Sequence, residues 1–221
     1  MADRIFLREV KLENIKKTLL FYQHSVGNVS CVVWDAALVL AKYLEKRSGQ
    51  YDSWLKGRKI IELGAGLGCV GIAAACYGGD VILTDLPDVV PQLLKTIDLN
   101  RTAWSDRGQV NAAALTWGQN KQNNIETLKI PADIILLSDC VYYEESLDPL
   151  IETIKILSSD TTEIILSQEK RDTEKQQEIW KQFLIKFNEV FTVNKVPLNE
   201  QDELYASPDI FLLRAHKKSN T

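Results

Sequence analysis

What this 221-residue chain lacks narrows its class before any motif is read. It has two histidines, His24 and His216, near the chain ends, and four cysteines, Cys31, Cys69, Cys76 and Cys140, with no C-x-x-C spacing among them. That inventory suggests neither a zinc site nor a disulfide framework, and it fits reduced thiols in a cytoplasmic or nuclear setting. No basic stripe exists: 26 Lys and Arg are interspersed with 30 Asp and Glu for a net charge of -4. Nucleic acid is therefore a disfavoured partner, because binding a phosphate backbone rests on clustered cations. No apolar run approaches the roughly 20 residues needed to span a bilayer, and Asp3, Arg4, Arg8, Glu9 and Lys11 place charge throughout the N-terminal segment, so neither membrane insertion nor export is expected.

What is present reads as one α/β domain over residues 1–221, at 45% hydrophobic content. Residues 4–12 and 18–23 pattern as a short β-hairpin, and Ala37, Leu38, Ala41 and Leu44 recur at helical spacing between Trp34 and Lys46. Together they form an N-terminal extension and helix over 1–56. From 57 to 216, strands at 58–63, 80–84, 110–115, 132–138 and 162–167 alternate with helices at 68–77, 88–100, 145–157 and 173–187, which predicts a parallel sheet. Runs at 190–196 and 209–215 lack a helix between them and predict a closing antiparallel hairpin, giving a seven-stranded, mostly parallel, Rossmann-like sheet. Gln119 to Asn124 reads as a polar loop and His216 to Thr221 as a disordered tail.

The first strand ends in Glu62-Leu63-Gly64-Ala65-Gly66-Leu67-Gly68, and the next ends in Asp85-Leu86. Strand, glycine turn, helix, strand and acid follow in the order of an adenosyl-cofactor site, with Asp85 placed to accept from ribose hydroxyls. Gly66 to Gly71 also satisfies G-x-G-x-x-G, so a dinucleotide is the competing ligand. Glu62 argues for S-adenosylmethionine, whose ammonium and sulfonium suit a carboxylate that would repel a pyrophosphate; its bland role is to hold the turn. In an open α/β sheet the remaining ligand contacts lie just past the other strand ends. Those positions hold Thr116-Trp117-Gly118 and Ser138-Asp139-Cys140-Val141-Tyr142-Tyr143. Trp117 can face an adenine or simply pack on its loop. Asp139 can orient an amine and stabilise the ammonium formed by methyl transfer, beside Tyr142 or Tyr143, or it can cap the segment that follows.

These residues resemble the seven-stranded protein-lysine methyltransferases of the methyltransferase-16 group, whose motif after the fourth core strand is Asp/Glu-x-x-Tyr/Phe, here Asp139-Cys140-Val141-Tyr142. Cys31 to Ala37, Glu62 to Gly66, Leu115 to Gly118 and Asp139 to Leu147 carry the likeness, which extends from Gly27 onward. It implies cofactor contacts from Trp34, Gly64, Ala65, Gly66, Asp85, Trp117, Ser138 and Tyr143, with Asp139 and Tyr142 at the lysine. It also implies a protein partner, a chaperone or AAA ATPase; a monomer is expected. The chain departs from the group at Gln168-Glu169-Lys170-Arg171, where relatives often have Tyr-Glu-x-Arg, and at Ser138, where a close relative has alanine. An NAD-dependent oxidoreductase and a non-catalytic module on this scaffold are the alternatives. The first lacks a Tyr-x-x-x-Lys pair, and the second is expected to lose one of the two motifs, yet both are present. Nucleobase amino-methylation is disfavoured too, because Cys140-Val141 replaces the two prolines of its loop.

Overall fold

The computed structural model describes residues 4–25, 29–119, 125–128 and 130–218. Strands β1 (Ile5–Leu12) and β2 (Lys17–His24) pair antiparallel as a separate two-stranded sheet. Only one face of this hairpin is buried, through Val10, Leu12, Leu19 and Phe21, as the strands' two-residue period allows. Helix α1 (Asp35–Gln50) follows, and then the central alternation: β3 (Lys59–Leu63), α2 (Cys69–Cys76), β4 (Asp80–Asp85), α3 (Val90–Leu99), α4 (Arg101–Trp104) and β5 (Gln109–Ala114). The chain then runs through β6 (Ala132–Ser138), α5 (Leu147–Leu157), β7 (Ser158–Glu169), α6 (Glu174–Val190), β8 (Phe191–Lys195) and β9 (Ile210–Lys217).

The sheet order is β5-β4-β3-β6-β7-β9-β8, parallel from β5 to β7 and antiparallel where β9 pairs with β7 and with β8. The chain builds outward from β3 to β5 and then crosses back to lay β6 on the other side of β3. That reversal opens a crevice above the carboxyl ends of β3 and β6. Each face of the sheet has its own core. Ile60, Val81, Leu83, Ile134 and Leu136 pack with the hairpin and helices α1 to α4, whereas Ile61, Leu63, Ile135 and Leu137 pack with α5 and α6. The N-terminal extension thus shares the main core instead of standing apart from it.

Two polar ties fix the extension over the crevice. Gln23 Oε1 accepts the Val33 N–H at 2.8 Å, and Ser167 Oγ on β7 donates to Ala36 O in the first turn of α1 at 2.8 Å. Both are buried, where an unmade hydrogen bond would cost about 1–3 kcal/mol, so the approach of Trp34 to the site is closely set.

The architecture matches the sequence reading, with two corrections. Strand β7 begins at Ser158, ahead of the expected 162, with a register shift against β6 between Ala132 and Ile134. The expected tail is partly strand: His216 and Lys217 pair with Thr192 and Phe191 of β8, because a hairpin continues wherever both strands still have partners. Residues 219–221 of that tail and 120–124 of the polar loop lie outside the described residues.

Candidate active site

The loop after β3 is built for backbone approach. Gly64, Gly66 and Gly68 all adopt positive φ, at 62°, 54° and 77°. An L-residue there would be strained, and at Gly64 it would also clash, since a Cβ would sit 2.9 Å from Cys140 Sγ and 3.3 Å from the Trp117 ring. The Cys140 thiol is held in place by donating to Leu63 O at 3.2 Å. Gly68 donates to Ala65 O at 2.7 Å, and α2 starts at the next residue, so the turn delivers the amide end of a helix to the crevice.

Asp85, at the end of β4, completes the loop. Its Oδ2 accepts the Gly66 N–H at 2.7 Å and its Oδ1 the Leu86 N–H at 2.8 Å. Burial raises its pKa against the lowering effect of those two bonds. Each carboxylate oxygen retains a free lone pair, so Asp85 can hold the loop and still accept from a ligand hydroxyl.

Above this loop lies a cavity of about 520 Å³, walled by Trp34, Leu86, Trp117, Tyr142 and Tyr143. Of the residues expected at the site, Gly64, Ala65, Gly66, Asp85, Ser138 and Asp139 also line it. Trp34 is fixed by its indole N–H, which donates to Val29 O at 2.8 Å, and the Tyr142 and Tyr143 rings meet edge to face with centroids 4.6 Å apart. Burial pushes the Tyr142 hydroxyl up to about 12, so it stays protonated at neutral pH.

Glu62 is the exception and corrects the sequence reading. Its carboxylate is 1% exposed, points away from the cavity and accepts the Gly71 N–H of α2 at 2.8 Å. The cause is strand parity: Ile60 and Glu62 share the face covered by α2, while Ile61 and Leu63 face the other way. Burial pushes its pKa up to about 8, so charge attraction from Glu62 is not what would select a cationic cofactor.

Asp139 does not cap the segment after it; Tyr143 and Ser146 occupy the cap positions there, and neither cap is made by a side chain. Asp139 instead has φ 56°, its N–H donates to Ser167 O at 2.9 Å, and its carboxylate is turned toward the end of β7. There Oδ1 accepts from Gln168 Nε2 at 2.9 Å and from the Glu169 N–H at 3.1 Å, while Oδ2 accepts from Arg171 Nη2 at 2.5 Å. Gln168 Oε1 in turn accepts the Val141 N–H at 3.0 Å, locking the two strand ends together. Burial raises the Asp139 pKa, with Arg171 and the backbone bond from Glu169 opposing it. A carboxylate offers about four acceptor positions and three are used, leaving one on Oδ2 for a donor in the cavity. Arg171 was not among the residues singled out as site members. Its signal was available, because it lies just beyond the carboxyl end of a central strand, where ligand contacts are sought.

The residues present fit an adenosyl cofactor. A side-chain-free cradle at Gly64 and Gly66, an acceptor at Asp85 and aromatic walls enclose a volume typical of small-molecule sites. Comparison with known proteins agrees. A family model described as lysine methyltransferase matches residues 13–189. The protein N-lysine methyltransferase METTL21A of Danio rerio is 38% identical over 194 residues, covering 87% of this chain and 80% of that protein. EEF1A lysine methyltransferase 3 of Xenopus tropicalis is 34% identical over 186 residues, covering 82% and 76%. Among solved structures, the T. thermophilus 16S rRNA methyltransferase RsmC, in complex with AdoMet and guanosine, superposes with a TM-score of 0.61 at 17% identity, covering 99% of this chain and 51% of that one. At that identity the likeness establishes the fold alone.

Proposed function

This chain belongs to the lysine methyltransferase family, and from that premise we propose that it transfers methyl groups from S-adenosylmethionine to the ε-amine of a lysine in a protein substrate. The observation that carries the reading is the buried Asp139 carboxylate on the wall of the cavity that the glycine loop floors, with one acceptor position unused. When bound, S-adenosylmethionine supplies an electrophilic methyl group on a sulfonium. The protein's part is positioning and electrostatics, so no covalent nucleophile is needed. The Gly64–Gly68 backbone and Asp85 hold and orient the cofactor's polar groups, and Trp117 offers a ring face. Trp34, Tyr142 and Tyr143 wall the cavity with aromatic rings that can flank the stem and cation of a lysine. Asp139 orients the amine and balances the charge that develops on its nitrogen.

For the substrate, we propose valosin-containing protein or a related AAA ATPase or chaperone. The support is the resemblance of Cys31 to Ala37 and of Asp139 to Leu147 to the same segments of the valosin-containing protein lysine methyltransferase. A monomer completes the proposal, and it works in the cytoplasm or the nucleus, a setting supported by four cysteines with no C-x-x-C spacing.

The test incubates the purified protein with labelled S-adenosylmethionine and, separately, with valosin-containing protein, a chaperone and elongation factor 1A, the last because it is named for a relative. Label on a single lysine of valosin-containing protein is the expected result. Label on elongation factor 1A alone would replace the substrate and leave the reaction standing. Stabilisation by NAD with none from S-adenosylmethionine would overturn the reaction itself.

A further inference from the structure

Among the described residues lining the cavity, Arg171 is the one cation. Its guanidinium is held at three points. Nη2 meets Asp139 Oδ2 at 2.5 Å, Nη1 meets Glu169 Oε2 at 2.7 Å, and the group lies 5.8 Å from the Trp34 ring centroid. Its Nε is buried with no hydrogen-bond partner among the described residues. A rigid fork shared between two carboxylates is a deliberate arrangement, since a planar guanidinium gives up less freedom per hydrogen bond than an ammonium.

The surroundings show what this cation offsets. From β6 and its following loop come Asp139, Cys140, Tyr142, Tyr143 and Glu145; from β4, Asp85; from the end of β7, Glu169; and from the start of α1, Asp35, which raises the pKa of Asp139 and is itself met by Arg8 at 3.7 Å. Without Arg171 these acids would hold an incoming lysine as an ammonium, which has no lone pair to accept a methyl group. Methyl transfer requires the neutral amine, and lysine's ordinary pKa of about 10.4 already works against it.

We infer that Arg171 is a positioning residue that holds Asp139 as half of an ion pair, so that the lysine meets a carboxylate able to orient it but too well compensated to trap it as an ammonium. This rests on the lysine methyltransferase reading above. The proton leaves the ε-ammonium for bulk water before transfer. Arg171 takes no part as a base, since a guanidinium offers donors and no acceptor. The amine lone pair then forms the new N–C bond as the methyl group's bond to sulfur breaks and its electron pair stays on sulfur as a neutral thioether, so the positive charge passes from sulfur to nitrogen beside Asp139.

The test compares wild type, Arg171→Gln and Arg171→Lys by single-turnover methylation of a protein lysine across pH, at saturating S-adenosylmethionine. Cofactor affinity by calorimetry and melting temperature are measured alongside. For Arg171→Gln the rate should fall about tenfold near neutral pH, with the apparent pKa of the rate profile moved up by about one unit, because an opposing charge has been lost. Arg171→Lys should keep the wild-type profile and lose only a few-fold in rate, since it keeps the charge and gives up the fork. Both should bind S-adenosylmethionine within about threefold of wild type, as Arg171 lies on the lysine side. A profile of unchanged pKa in Arg171→Gln, lowered evenly at every pH, would make the residue merely structural and overturn the inference while the functional reading stands. A wild-type protein that binds the cofactor and methylates no protein lysine would overturn both.

Discussion

The two halves of the crevice are built on different principles. The cofactor half, from Gly64 to Leu86, is backbone held by backbone and by one nearby carboxylate: three positive-φ glycines, a helix start and Asp85 accepting from Gly66. The lysine half is assembled from side chains that meet across the fold. Asp139 is tied to Gln168 and Arg171 about 30 positions away, and Trp34 stands just ahead of a helix fixed to β7 through Ser167. A backbone cradle is generic and tolerates side-chain variation that spares its glycines and Asp85. A side-chain network is specific, and it fails when one member is removed, because the others are left buried and unpaired.

The contrast is broken most forcefully at Asp139. Asp139→Ala should lower single-turnover methylation by roughly a hundredfold or more, the usual loss when a preorganised electrostatic contact is removed. S-adenosylmethionine affinity should stay within a few-fold. Because the alanine leaves Arg171 without its closest partner, some stability should also be lost; Asp139→Asn should restore only part of it and no activity, because its NH2 must face donors on one side of the network. Wild-type turnover in a less stable Asp139→Ala variant would reduce the residue to a strut between β6 and β7.

On the cofactor side the matching change is Gly64→Ala. The added methyl is forced against Cys140 and Trp117 at a backbone conformation alanine disfavours. Cofactor affinity should drop by about tenfold or more, while turnover at saturating S-adenosylmethionine stays within a few-fold, the reverse of the Asp139 pattern. If Gly64→Ala instead lowered turnover at saturation and spared affinity, the division of labour between the halves would be wrong.

Asp85→Ala comes next in size. It removes an acceptor for two loop amides and for a ligand hydroxyl, a loss of about 1–3 kcal/mol that calorimetry with S-adenosylmethionine should register as roughly a tenfold or larger weakening. Its effect exceeds that of a lost ribose contact alone, since the loop is loosened as well. Unchanged affinity would remove Asp85 from the site.

The same contrast explains what could be read from the sequence. The cofactor half was legible because its determinants are local: glycines at fixed spacing, an apolar strand on either side and an acid at the second strand's end. The parallel sheet and the crevice at its strand ends followed from the alternation of elements, whereas the strand order came only with the structure. Asp139 and Tyr142 were legible as positions at a strand end, but the partner that defines the carboxylate's chemistry was not, because Arg171 lies 32 residues downstream and meets it only through the β6–β7 pairing. Glu62 was misplaced for a different reason. A central parallel strand is apolar on both faces, so Ile60-Ile61-Glu62-Leu63 carries no alternation to say which side Glu62 takes. The face assignment needs the position of α2, which is a tertiary fact.

Glu62 supplies the finest test, because it belongs to the cofactor half in sequence and to the core in space. Glu62→Gln should leave methylation and cofactor affinity within a few-fold and change the dependence of stability on pH. Burial lifts the Glu62 pKa from 4.5 to about 8 in the folded protein, against the Gly71 hydrogen bond that lowers it. Between those two values the folded state keeps a proton that the unfolded chain has released, so this group's contribution to stability declines as pH rises through the window and levels off above about pH 8. Glutamine cannot titrate, yet its carbonyl can still accept the Gly71 N–H. Melting temperatures of wild type and Glu62→Gln measured from pH 5 to pH 9 should therefore converge or cross, the variant gaining a few degrees on wild type toward the alkaline end. Parallel curves would mean that Glu62 titrates alike in both states, and a large loss of cofactor affinity would return its carboxylate to the ligand.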